Sequence, residues 1–235
     1  MKKFLGHWTL FEILFLIFSE IAIILCFVFS VERNVFSLVV SLIGVISVLM
    51  VAKGLTIAPI INIFYNIIYS ILAITEHYYG EAIIYLGLMI PISVLSIISW
   101  FKNKNKESEE NVQVNTIKGV EYLYLSLETV VATIAFYFIL KVLNTSELIV
   151  STLSLVSSAV ASYLMLRRSS YYALGFVAND IILIALWGLA VVNSGVGFLP
   201  SVICFVIFLI NDIYGFIHWK IEEKKQKNQG KTSTQ

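Results

Sequence analysis

The sequence predicts an all-α fold, a polytopic membrane bundle of about eight transmembrane helices, and three observations support this prediction. The 235 residues are 59% hydrophobic and only 13% charged, whereas a soluble domain carries about 25% charge. The apolar residues fall into runs of about twenty, the length that crosses a bilayer. The basic residues segregate between alternate connections, as they do in membrane proteins.

The first apolar run follows two lysines, as the core of a signal peptide would. It nevertheless continues to Phe29, contains Glu12 and Glu20, and lacks a small-residue cleavage site, so it is predicted to be a retained span. Glu12 lies close enough to the membrane boundary for its carboxylate to reach the interface. The predicted spans are 10–30, 34–52, 55–75, 80–101, 120–142, 147–166, 170–193 and 197–219.

The lysines and arginines predict the orientation of these spans. Fourteen of the sixteen lie on the side that holds both termini and the connections after spans two, four and six. Only Arg33 and Lys141 lie on the other side, so both termini are predicted to be cytoplasmic, in a multi-pass protein of the cell membrane. Residues 102–119 then form a cytoplasmic linker, and the polar tail 220–235 is predicted to be disordered.

An internal repeat is visible near the ends of two spans. Asn66 is followed by a helix that ends at Trp100, and Asn179 is followed by a helix that ends at Trp219. This predicts two three-helix units of the same orientation on either side of a connector, a three-plus-one-plus-three arrangement with one additional helix. The units would be 34–101 and 147–219, the connector 120–142 and the additional N-terminal helix 10–30.

Polar side chains lie near the middle of several spans, where a carboxylate costs roughly 2.5–3.5 kcal/mol on insertion scales. Amides, carboxylates and nearby aromatic rings suit a small, flat, hydroxyl-bearing solute such as a nucleoside, and they tolerate a cationic ring. The alternative is that each group serves only helix packing, which we favour for Glu20 and leave open for Glu128. The predicted substrate-binding residues are Asn62, Asn66, Tyr69, Asn179, Asp180, Trp187, Asn211, Asp212 and Tyr214.

Other functional classes have little support in the sequence. The three histidines, His7, His77 and His218, lie at predicted membrane edges, so no metal or acid–base cluster is predicted and no cofactor is expected. Cys26 and Cys204 lie inside apolar runs and are predicted to be buried hydrophobic residues. The net charge of +1 indicates no nucleic-acid partner, and an intramembrane enzyme is disfavoured.

Two motifs stand out in the second half of the chain: Ala178-Asn179-Asp180 with Trp187, and Asn211-Asp212-Ile213-Tyr214-Gly215 with Trp219. Through them the chain resembles the PnuC family of nicotinamide riboside transporters. The resemblance covers most of residues 34–219 and is sharp over about 170–219; Gly175-Phe176 departs from a tryptophan-rich segment of some relatives. It implies a SWEET-like fold, a homotrimer and facilitated diffusion of nicotinamide riboside without ion or ATP coupling. Relatives carry other vitamins, including thiamine, so another vitamin or nucleoside, or a proton- or sodium-coupled carrier, stays an alternative.

Overall fold

The computed structural model describes residues 8–29, 35–75, 82, 84–105, 110–144, 147–194 and 199–232, and within these ranges it is almost entirely helical. The predicted all-helical membrane bundle is confirmed. Its helices are α1 (Leu10–Phe29), α2 (Val35–Ala52), α3 (Ala58–Thr75), α4 (Ile90–Lys102, preceded by a π-helical turn at Tyr85–Met89), α5 (Gly119–Val142), α6 (Leu148–Leu166), α7 (Tyr172–Ser194) and α8 (Leu199–Thr232). Five described segments are long and apolar enough by themselves to cross a membrane; α2, α3 and α7 contain shorter apolar stretches.

Six of the helices pack in a closed ring. Each helix contacts the next in the order α2, α3, α4, α6, α7, α8, and α8 contacts α2 again. Within each three-helix unit the neighbours therefore follow the chain, and the two units meet at the α2–α8 and α4–α6 contacts. A ring of six helices places its inward side chains around a common centre, where a polar group is shielded from lipid.

The turns that leave α2 and α6 are built alike. Both helices end in the same C-terminal capping motif, in which Leu55 N–H bonds Met50 O at 3.2 Å and Ser169 N–H bonds Leu164 O at 2.9 Å. The left-handed residue of the motif is Gly54 in one turn and Arg168 in the other, with φ of 69° and 58°. Equivalent residues of the two turns are 114 positions apart in the sequence (168 minus 54). This number shows which residues of the two units correspond near these turns.

Two tryptophans join the units at one end of the bundle, which we call the tryptophan end. Trp100 Nε1 donates to Met165 O at 3.1 Å, and Trp219 Nε1 donates to Val51 O at 3.1 Å. The last helix of each unit therefore caps the first helix of the other unit. Both indoles are fully buried, with ring centroids 5.6 Å apart, so they close the ring at this end.

Helices α1 and α5 lie outside the ring and make matching ion pairs at the tryptophan end. Glu12 of α1 pairs with Lys53, which follows α2, at 2.7 Å. Glu121 of α5 pairs with Arg167, which follows α6. Each acid stands at the third residue of its helix, and each base at the first residue after the next helix. These contacts group α1 with the first unit in the same way as they group α5 with the second.

One expectation about a polar segment is wrong. Helix α8 continues to Thr232, and its 34 residues span about 51 Å, longer than the ~30 Å hydrocarbon core. The tail is ordered as a helix because Gln226 accepts a hydrogen bond from Val114 N–H at 2.9 Å and Glu223 accepts one from Ser170 Oγ at 2.8 Å. Glu12 lies at the tryptophan end, near the start of α1, and is 1% exposed, because Lys53 and neighbouring donors surround its carboxylate.

Candidate functional site

Two acidic side chains of the second unit meet inside the bundle. Asp180 of α7 and Asp212 of α8 are 3% and 7% exposed, and their carboxyl groups lie within hydrogen-bonding reach of each other. Asn211 Nδ2 donates to Asp212 Oδ1 at 3.2 Å, while Asp180 Oδ2 and Asn211 Oδ1 are buried without a hydrogen-bond partner. We call Asp180 and Asp212 the acid pair. Buried oxygens without donors are unusual and indicate that this place can accept a further donor or a cation.

Amides and a serine meet at the corresponding place in the first unit. Asn66 Nδ2 of α3 donates to Ser93 Oγ of α4 at 3.3 Å, and Asn62 Nδ2 donates to the same oxygen at 3.4 Å. Asn66 and Ser93 are 3% and 1% exposed. We call Asn66 and Ser93 the neutral pair. The sequence did not identify Ser93, although it stands seven residues before Trp100 as Asp212 stands seven residues before Trp219.

The acid pair and the neutral pair occupy equivalent positions. Asn66 follows the turn after α2 by the same number of residues as Asp180 follows the turn after α6, an offset of 114 residues between the units. Ser93 precedes Trp100 by the same number of residues as Asp212 precedes Trp219. The expected match of Asn66 with Asn179 is therefore wrong by one residue. Asn66 and Asp180 each lie eight residues into their helices, about 12 Å from the tryptophan end.

Helix α2 connects the two pairs. Ser47 Oγ donates to Asn62 Oδ1 at 3.4 Å, and the next residue, Val48, accepts a hydrogen bond from Asn211 Nδ2 at 3.2 Å through its carbonyl. At Gly44, an added Cβ would lie 2.9 Å from Tyr65 of α3 and 3.4 Å from Phe208 of α8. The polar groups of α3 and α8 therefore lie on two sides of the same short stretch of α2, and Gly44 is required for this close approach.

Three tyrosines cluster beside the neutral pair. The Tyr69 and Tyr85 ring centroids are 4.3 Å apart, and Tyr65 lies 5.8 Å from Tyr69. Tyr69 was a predicted site residue, whereas Tyr85 was not, because it precedes α4 in the π-helical turn and its spacing gave no signal. Aromatic faces of this kind stack on flat rings as well as on each other.

Two predicted site residues, Asn179 and Tyr214, are placed differently from what the sequence predicted. Asn179 Oδ1 accepts hydrogen bonds from Ser154 and Ser157 of α6 at 2.9 and 3.1 Å, which fixes α7 on α6. Tyr214 donates to Glu12 Oε1 at 2.6 Å, so it faces α1 and not the helix that Asn211 contacts. Trp187 lies on α7, and its side chain is outside the part of the structure that is described.

Other acidic groups stand away from the two pairs. Glu20 of α1 is half-buried and its Oε1 is without a hydrogen-bond partner, which is consistent with a place between α1 and its neighbours. Glu128 is exposed on α5, about 14 Å from the start of that helix.

An apolar groove of about 260 Å³ runs between α5 and α6. It lies outside the ring and contains none of the predicted site residues. Its lining residues are Thr133, Ile134, Tyr137, Phe138, Ile149, Thr152 and Leu153.

Comparisons with known proteins agree with this architecture. The model of a family described as nicotinamide mononucleotide transporter matches residues 34–221. The chain is similar to a nicotinamide riboside transporter PnuC of Neisseria mucosa, with 28% identity over 233 residues, 97% of this chain and 88% of that relative. It is also similar to the crystal structure of a vitamin B3 transporter PnuC, with a TM-score of 0.80 and 25% identity over 94% of each chain.

Proposed function

The chain belongs to the nicotinamide mononucleotide transporter family, and from this premise we propose that it carries nicotinamide riboside across the cell membrane by facilitated diffusion. It is a multi-pass membrane transport protein by family and by its apolar helices. The substrate is proposed from the relative of Neisseria mucosa, whose name specifies nicotinamide riboside.

The observation that carries the proposal is the pairing of polar groups at one depth in both units. The acid pair comes from α7 and α8, and the neutral pair comes from α3 and α4, so the two pairs are supplied by four helices of the ring. Polar groups within membrane helices are rare, and in transporters they mark the path of the solute near the interface between repeats. A solute between the units would meet both pairs.

The chemical groups of nicotinamide riboside are complementary to the side chains at and near the two pairs. Asn62 and Asn66 can hydrogen-bond the ribose hydroxyls or the carboxamide, because an amide both donates and accepts. The ring can stack on Tyr69 and its tyrosine neighbours, or on Trp187, which we retain as a proposed contact. Asn211 keeps an unpartnered Oδ1 for a donor of the solute. Asn179, Asp180, Asp212 and Tyr214 remain proposed site residues; Asn179 and Tyr214 would act through the helices that they hold in place.

The buried tryptophans suggest how access alternates. Trp100, Trp219 and Tyr172 are 0–1% exposed and fill the tryptophan end, so the solute in this conformation would arrive from the opposite end. From the distribution of basic residues we infer that the tryptophan end is cytoplasmic, with both termini on that side. Release into the cell then requires the two units to separate at the reciprocal Trp100 and Trp219 hydrogen bonds, a rocking of one repeat against the other.

Uptake into proteoliposomes tests the proposal. Radiolabelled nicotinamide riboside should enter liposomes that contain the wild-type protein until the internal and external concentrations are equal. Asn66→Ala and Asp212→Ala should each reduce the initial rate by about tenfold or more, the cost of one or more lost hydrogen bonds to a bound solute. Thr133→Ala is a matched control, because Thr133 bonds its own helix on α5 at 2.7 Å, outside the ring. Wild-type rates in both site variants would refute the site.

A coupled carrier is the second candidate function, because two carboxyl groups in mutual reach can hold a proton between them. Accumulation of the solute above its external concentration, driven by a pH or sodium gradient, would favour this candidate over facilitated diffusion.

The alternative substrates are distinguished by competition: thiamine, riboflavin and nucleosides are each tested as competitors of nicotinamide riboside uptake. Equal competition by all of them would contradict nicotinamide riboside as the specific solute.

We also propose a homotrimer in which α5 contributes to the subunit contact. Helix α5 packs on α6, and its opposite side presents exposed apolar residues such as Leu123, Leu127 and Val131. An exposed apolar helix face is expected in lipid, but the Glu128 carboxylate on this helix is exposed at a depth where lipid contact is costly. Contact with a second copy would remove that cost.

A further inference from the structure

We propose that the acid pair selects for solutes with a cationic ring and binds that ring on the α7–α8 side, while the neutral pair binds the uncharged part on the α3–α4 side. This inference rests on the proposed function, because it assigns the orientation and the charge of the solute in the same site. It identifies Asp180 and Asp212 as the residues that determine charge specificity.

The first argument is the comparison between the two units. The same helix–helix contact that Asp180 and Asp212 make in the second unit is made in the first by Asn66 and Ser93, with a hydrogen bond of 3.3 Å. An uncharged pair is therefore sufficient to pack these helices in this fold. Two carboxyl groups at the equivalent positions cost more to bury and pack no better, so packing does not explain them.

The second argument is the absence of a protein cation beside the acid pair in the described part of the chain. The basic residues that follow α2 and α6, Lys53 and Arg167, are paired with Glu12 and Glu121 on the outer helices. Asp212 instead accepts from the Asn211 amide, and Asp180 Oδ2 has no hydrogen-bond partner. One ionised carboxylate is enough to attract a cation, and its protonated neighbour can donate a hydrogen bond to it.

The third argument is the chemistry of the surroundings. Asn211 Oδ1, 1% exposed and also unpartnered, lies on the residue adjacent to Asp212. These buried oxygens together form an electronegative cluster inside the bundle, which suits a pyridinium or thiazolium ring and disfavours a neutral or anionic one. The neutral pair offers amide and hydroxyl groups, which suit ribose hydroxyls.

The experiment compares two ligands that differ in ring charge. Nicotinamide riboside carries a pyridinium, and its reduced dihydro form has the same amide and ribose on an uncharged ring. The double variant Asp180→Asn, Asp212→Ser installs the pair of residue types that the first unit already uses, so we expect it to fold. Kd for both ligands would be measured by calorimetry on the purified full-length protein, with monodispersity and thermal unfolding as folding checks.

We expect the wild-type protein to bind the cationic ligand more tightly than the reduced one. In the double variant, Kd for nicotinamide riboside should rise by roughly 10- to 100-fold, while Kd for the reduced form should change by less than about threefold. Asn66→Ser is the matched control in the neutral pair, and it should raise Kd for both ligands by the same factor. If the double variant fails to fold, Asp180→Asn alone should reduce the preference in the same direction.

An unchanged ratio of the two Kd values in a folded acid-pair variant would overturn the inference and leave the proposed function standing. A wild-type protein that binds neither ligand would instead overturn the proposed function and this inference together. Sodium that competes with nicotinamide riboside in the wild-type protein and loses this effect in the double variant would show that the acid pair binds a metal cation, which also overturns the assignment to the ring.

Discussion

Replacement of Lys53 should destabilise the protein far more than replacement of Arg167, although the two residues occupy equivalent positions. Lys53 Nζ lies 2.7 Å from Glu12 Oε2, and the two side chains are 7% and 1% exposed. Lys53→Met leaves the Glu12 carboxylate buried without its cation, which typically costs about 3–5 kcal/mol. For a chain of this length that corresponds to roughly 6–20 °C in the midpoint of thermal unfolding.

Arg167→Met is the matched control. The Arg167 and Glu121 side chains are 42% and 19% exposed, and ion pairs that water reaches contribute about 0–1 kcal/mol. We therefore expect its midpoint to fall by less than about 4 °C. Both variants would be heated in detergent and the folded fraction measured by size-exclusion chromatography.

The double variant Lys53→Met, Glu12→Gln distinguishes a buried charge from lost packing. Glutamine removes the charge but keeps an acceptor for Tyr214, which donates to Glu12 at 2.6 Å in the wild type. The double variant should therefore be more stable than Lys53→Met alone. Equal midpoints for the Lys53 and Arg167 variants, or a double variant no more stable than the single one, would refute the reasoning.

Two further predictions address helix packing and assembly. Gly175→Ala should destabilise the protein by about 1–3 kcal/mol, because its Cβ would lie 2.8 Å from Ala161 Cβ and 3.0 Å from the backbone of α6. Gly188→Ala on the same helix has no atom within 4 Å and should raise the unfolding midpoint slightly; the opposite order would contradict this account. Light scattering with detergent correction should give a trimer for the wild-type protein and smaller species for Glu128→Ala, whereas a monomeric wild type would exclude the proposed assembly.

Much of the fold was predictable because each membrane-spanning helix requires an apolar run of characteristic length, which is visible in the sequence. The eight spans follow from the length of the apolar runs, and their bounds agree with the structure to within a few residues at most ends. The ordered tail was not predictable from its composition. Its helix depends on hydrogen bonds that Gln226 and Glu223 make with residues more than fifty positions away, and local composition does not record such partners.

The candidate site was predictable in residue type but only partly in arrangement. Asn66, Asp180, Asn211 and Asp212 were identified because buried polar groups are conspicuous among apolar neighbours. Ser93 was missed because a serine in a membrane helix can satisfy its own backbone and gives little signal. Tyr214 was assigned to the site from its spacing to Asn211, yet the two residues contact different helices.

The sequence by itself determined that the chain crosses the membrane repeatedly, which side its basic residues favour, and which side chains are too polar for lipid, because each of these depends on local composition against the dimensions of a bilayer. The tertiary structure decided which of those side chains meet. That depends on the ring order of the helices and on the register set by the turns after α2 and α6, and both are fixed by contacts between distant residues. Only this register places Asp180 opposite Asp212 and Asn66 opposite Ser93.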